Sequence, residues 1–118
     1  MQLTRHQTMK RASEFAMVRA QGSSAAGRFL VLSTLAYTGE GAGAKESRFG
    51  IITTKRLGHA VVRNLLRRRI REIVRAHGEP LQHGHYVVLI PRHTAATAAY
   101  TELEKDFKRL LKRKHFTN

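Results

Sequence analysis

Residues Lys55 to Arg75 read KRLGHAVVRNLLRRRIREIVR, with eight Lys or Arg against one Glu. At about 100° per residue, Val62, Ile73, Leu66 and Ile70 fall within one arc of about 80°, as a buried helix face requires. Arg63, Arg67, Arg71, Asn64, Arg75 and Arg68 fill a second arc of about 140° on the same wheel. One helix over roughly 60–77 therefore carries a core-facing stripe and a guanidinium-rich face, ended by Gly78 and Pro80. Arginine at that density suits a polyphosphate, because its planar fork binds phosphate oxygens in pairs.

The elements on either side set the fold class. Ser13 reads as the N-cap of a short helix over 13–20, with Gly22 as its stop. Gly22–Gly27 reads as a loop, and Arg28–Tyr37, rich in β-formers, as a strand. Thr38–Ala44 holds three glycines and reads as a hairpin connection to a second strand at Ser47–Thr54. The near-continuous apolar run in His85–Pro91 predicts a central strand buried on both faces. Thr101 with Glu104 fits a capping box for a last helix, with an earlier start near Thr97 as the alternative; its apolar stripe is Leu103, Phe107, Leu110 and Leu111. The order α-β-β-α-β-α, with room for a further strand, predicts one α+β domain spanning 1–118, a small two-layer sandwich of helices on a mixed sheet.

The charge narrows the function. Twenty-two Lys and Arg against eight acids leave a formal net charge of +14 on 118 residues, which points to nucleic acid or an anionic surface. No apolar run approaches the ~18–20 residues of a membrane span. Residues 1–11 are basic and lack the apolar core of a secretory signal. With no cysteine, thiol catalysis and Cys-based zinc sites are excluded, and a reducing cytoplasm fits.

Catalytic groups are scarce. Metal-dependent nucleases cluster carboxylates, yet the only aspartate is Asp106, set among Lys105, Lys108 and Arg109. Glu102 and Asp106, one turn apart, read as a solvated helix face with intrahelical pairs. His83 and His85 are the only close histidine pair, and two histidines without a third ligand make a weak metal site. The reading is a nucleic-acid binder with no catalytic residues of its own. Phe15, Phe29, Tyr37, Phe49 and Tyr86 are candidate stacking platforms, weighed against ordinary core roles.

Thr54 to Glu72 resembles the signature of the bacterial ribonuclease P protein subunit: a basic pair, Gly, Asn, Ala-Val, one residue, Arg-Asn-Arg, then a basic helix. Glu14-Phe15 with Val18 and Gly22, the Arg28–Leu35 strand, Phe49-Gly50-Ile51, Tyr86–Pro91 and Glu102–Leu111 extend the likeness along the chain. Leu65 stands where the third signature residue is usually Arg, and His59 where Asn is usual. Arg19 and Ser33 stand where the family often has aromatics. The resemblance implies a left-handed βαβ crossover and a non-catalytic subunit of a ribonucleoprotein that removes the 5′ leader of precursor tRNA. The active site and its Mg2+ would lie in the RNA, with the protein, as a monomer, in a 1:1 complex with it. Lys55, Arg56, Arg63, Asn64, Arg67, Arg68 and Arg71 would then bind the catalytic RNA. Phe15, Arg11, Arg19 and Arg28 would bind the leader, in a cleft between the first helix and the sheet. A ribosomal or RNA-chaperone protein shares the charge, and a protein-only nuclease would rely on His83 and His85.

Overall fold

The computed structural model describes residues 1, 3 and 7–118; Gln2, Thr4, Arg5 and His6 of the basic N-terminal stretch lie outside the described residues. Its helices are α1 (Ala12–Gln21), α2 (Ala60–His77) and α3 (Tyr100–Arg113). Its strands are β1 (Ser23–Ala26), β2 (Leu30–Ala36), β3 (Arg48–Ile51) and β4 (His85–Pro91). They form one mixed sheet in the order β1-β2-β4-β3. The β1–β2 and β2–β4 pairs are antiparallel, and β3–β4 is parallel. The α+β class read from the pattern is the one observed.

β4 explains the layering. Its alternate residues Val87 and Leu89 join the main core with Leu66, Ile70 and Ile73 of α2 and Leu103, Phe107 and Leu110 of α3. Val88 points to the other face, against Val18 of α1 and Met9 just before that helix. A central strand buried on both sides needs apolar residues at every position, which is why its run does not alternate. The sheet thus carries α2 and α3 on one face and α1 on the other, one layer more than the expected two-layer sandwich, because β4 is apolar on both faces.

Four local expectations are corrected. The segment read as a loop contains β1, an edge strand paired from Ser23↔Thr34 to Ala26↔Val31. Ser-Ser-Ala-Ala has little β-propensity; its order comes from pairing and from the turn that follows. Second, the glycine-rich connection is no hairpin, because β4 lies between β2 and β3. Gly39 and Gly41 do supply turns, at φ 101° and 71°. Third, α1 starts after Arg11 with no side-chain cap, so Ser13 lies inside the helix. Fourth, α3 follows Ala99, whose N–H donates to Glu102 Oε1 at 3.0 Å. Glu104 instead meets His77 Nε2 of α2 at 2.7 Å.

Asp106 of α3 is buried. It is no solvated partner of Glu102: only 3% of it is exposed. Its carboxylate accepts the backbone N–H of Arg28 at 3.0 Å and those of Phe29 and Leu30 at 2.9 Å. These bonds clamp the β1–β2 turn onto α3. Gly27 completes the clamp, since a Cβ there would sit 2.5 Å from both carboxylate oxygens.

Candidate nucleic-acid interface

The interface begins where β3 ends. A 3₁₀ turn at Lys55–Leu57 buries Leu57 and leaves Lys55 and Arg56 exposed. Gly58 follows at φ 131°, in backbone space that side chains disfavour, and turns the chain into α2. On α2, Leu66, Ile70, Ile73 and Val74 are buried. Val74 lies between Arg63 and Arg67 on the helical wheel, so the arginine face is interrupted by a core contact. Asn64, Arg68, Arg71 and Arg75 are exposed, and Arg63 and Arg67 are half-buried. Arg67 Nη1 donates to Asn64 Oδ1 at 3.2 Å. Arg63 Nε is buried with no hydrogen-bond partner among the described residues. Leu65 is half-buried, one turn after the exposed Val61 and on the flank of α2 away from Arg67 and Arg71.

α1 is anchored to the edge strand β3. Arg48 Nε pairs with Glu14 Oε2 at 3.0 Å, and Arg48 Nη2 donates to the Thr8 carbonyl at 3.2 Å. Phe15 lies on the β3 backbone at Gly50, where a Cβ would come 2.5 Å from Phe15 Cε1. Glycine at that point is what lets the ring sit on the strand. Phe15 thereby separates two hollows. The smaller, about 120 Å³, is lined by Phe15, Val18, Arg19, Ser33, Val88 and Ile90 among others. The larger, about 390 Å³, runs from Phe15, Met9 and Ile51 to Arg67, Arg71 and Arg75.

The structure therefore brings Phe15 and Arg19 together, with exposed Arg11 at the start of the same helix. It also brings Arg67 and Arg71, expected on a separate RNA face, to the hollow beside Phe15. Arg75, on the arginine arc of the helical wheel, joins them, as do Met9 and Gly50, which the sequence pattern does not mark as site residues. Arg28 is not brought to this cleft. Its guanidinium lies 5.1 Å over the ring of Phe29, a core residue packed with α2 and α3 on the opposite face of the sheet. Phe29 is a core residue, 8% exposed, on the far face of the sheet; Phe49, 7% exposed, packs in the core and shows only an edge in the larger hollow.

The histidine pair makes local contacts. His85 Nδ1 lies 3.0 Å from the His83 carbonyl, and its ring meets Phe116 edge-on at 5.2 Å. Among the described residues no three His, Cys, Asp or Glu side chains converge as a metal site would need. None of the described helices is long and apolar enough to cross a membrane.

The Ribonuclease P family model matches residues 3–115. The chain belongs to the ribonuclease P protein family. It is 32% identical over 105 residues to the ribonuclease P protein component of Syntrophomonas wolfei, covering 89% of this chain and 84% of that one. It is 36% identical over 105 residues to that of Symbiobacterium thermophilum, covering 89% and 88%. Among solved structures, the Staphylococcus aureus RNase P protein superposes with a TM-score of 0.82 at 26% identity, covering 95% of this chain and 98% of that one. The Thermotoga maritima RNase P protein shares the fold, with a TM-score of 0.76, 24% identity and coverage of 90% and 96%. The chain is thus a non-catalytic ribonuclease P subunit, part of a ribonucleoprotein endoribonuclease in tRNA 5′ maturation, and its partner is RNA.

Proposed function

We propose that the exposed face of α2 docks the catalytic RNA while the hollows around Phe15 hold the single-stranded 5′ leader of precursor tRNA. The observation that carries this reading is Phe15 itself. Its ring sits on Gly50, with Arg19 on one side and Arg67 and Arg71 on the other. A leader of varied sequence suits such a groove, because every base has a face to stack and every nucleotide a phosphate. A structured RNA suits the arginines of a rigid helix, which contact backbone rather than base edges. Lys55, Arg56, Arg63, Asn64, Arg67, Arg68 and Arg71 are assigned to the catalytic RNA, and Phe15, Arg11 and Arg19 to the leader. Arg67 and Arg71 contribute to both. One protein binds one RNA, in the cytoplasm.

In this reading the Mg2+ would be held by the catalytic RNA and would supply the activation of water there, with no ligand from Lys55, Arg56 or the α2 arginines of this chain. The protein's contribution is charge: +14 on a small domain lowers the repulsion between two polyanions that the metal would otherwise have to screen. The protein alone should leave precursor tRNA intact. Added to a cognate catalytic RNA, it should raise cleavage on the order of tenfold or more at low magnesium, and much less at high magnesium. Absence of stimulation at every magnesium concentration would overturn the proposal.

A further inference from the structure

The flank of α1 away from Phe15 holds a third hollow, larger than the two beside that ring. Val18 is the buried centre of the helix. Phe15 and Arg19 lie to one side of it on the wheel, and Met17 and Gln21 to the other. Met17 and Gln21 wall a cavity of about 500 Å³ whose floor is the end of the sheet. There Tyr86 of β4 pairs laterally with Leu35 of β2 and Arg48 of β3. Tyr37 stands beside it, the two rings edge-to-face with centroids 4.7 Å apart and planes at 74°. The Tyr37 hydroxyl donates to the Glu46 carbonyl at 2.9 Å, which fixes the ring.

We propose that this cavity binds one unpaired RNA nucleotide, its base stacked on the Tyr37–Tyr86 pair. The proposal rests on the reading that the chain binds single-stranded RNA. A half-exposed aromatic pair in a concave, mixed polar and apolar site is what a base needs. The local charge favours the base over a free phosphate. Arg48 is already paired with Glu14, and Lys45 is offset by Glu46 on the same wall. The overall positive charge attracts the strand, and the cavity takes its uncharged part. Both rings are half-buried, unlike the core Phe29 and Phe49, so they keep surface to offer.

The test uses the reconstituted ribonucleoprotein and precursor tRNAs carrying 2-aminopurine at single leader positions. With the wild-type protein, one position should be quenched. Tyr37→Leu should restore its fluorescence and weaken precursor binding about tenfold, the scale of one stacked base. Tyr37→Phe should keep the quench. Thr38→Glu, at an exposed lining position, repeats the test without touching the aromatic pair. If both Tyr37→Leu and Thr38→Glu weaken binding of the catalytic RNA instead, the nucleotide is supplied by that RNA. If neither changes quench or affinity, while Phe15→Ala still lowers the preference for precursor, the cavity proposal is overturned and the cleft reading stands.

Discussion

Asp106→Ala is expected to destabilise the protein by about 3–5 kcal/mol, a large part of what a domain this size possesses. The substitution leaves the N–H groups of Arg28, Phe29 and Leu30 without their acceptor. The last two bonds are buried, and a buried donor left unsatisfied costs about 1–3 kcal/mol. No alternative acceptor is supplied, and the clamp holding β1 and β2 against α3 is gone. Asp106→Asn keeps the shape but turns one acceptor into a donor, for an expected loss of about 2 kcal/mol. Glu102→Ala, one turn away, removes only an exposed bond to the Ala99 N–H and should cost about 1 kcal/mol or less. Urea unfolding of the three variants checks the order. Equal effects at 102 and 106 would deny the clamp.

Arg68→Ala with Arg71→Ala is expected to weaken binding of the catalytic RNA about 10- to 100-fold near physiological salt. It should also flatten the dependence of log affinity on log salt by about two units, one for each phosphate contact removed. Both residues are exposed on α2, so stability should change little. The two are not equivalent. Arg71 lines the hollow beside Phe15, whereas Arg68 does not. Arg68→Ala alone should therefore affect assembly only, and Arg71→Ala should also lower affinity for the leader. Filter binding across a salt series, with catalytic RNA and with precursor, separates these outcomes.

α2 and α3 are legible in the sequence from strong periodicity, and β4 from the lack of it. Val62, Leu66, Ile70 and Ile73 fall on one stripe, and a continuous apolar run marks a strand buried on both faces. β1 is not legible, because Ser23–Ala26 forms a strand only through its pairing with β2 and the clamp from Asp106. Sheet order is not legible either: nothing local in Thr38–Ala44 says that β4 will enter between β2 and β3. The role of Asp106 leaves a trace. It lies beside Leu110 on the α3 wheel, at the margin of the apolar stripe, but three neighbouring cations make it look solvated. The candidate site is legible in its residue types and only partly in its geometry. Phe15, Arg19 and Arg67 stand out, but Arg28 enters the leader set only through the resemblance. Its position behind the sheet follows from the β1–β2 turn, which the sequence pattern hides.

The most direct measurement is the ratio of affinities for precursor and mature tRNA, taken with ribonucleoprotein reconstituted from wild-type protein, Phe15→Leu and Phe15→Ala. Leucine keeps apolar bulk on Gly50 but offers no ring to stack. Both substitutions should reduce the ratio, by about 5- to 10-fold for Phe15→Ala, while affinity for the catalytic RNA stays within about twofold. An unchanged ratio, with folded protein and normal assembly, would contradict the placement of the leader in the cleft between α1 and the sheet.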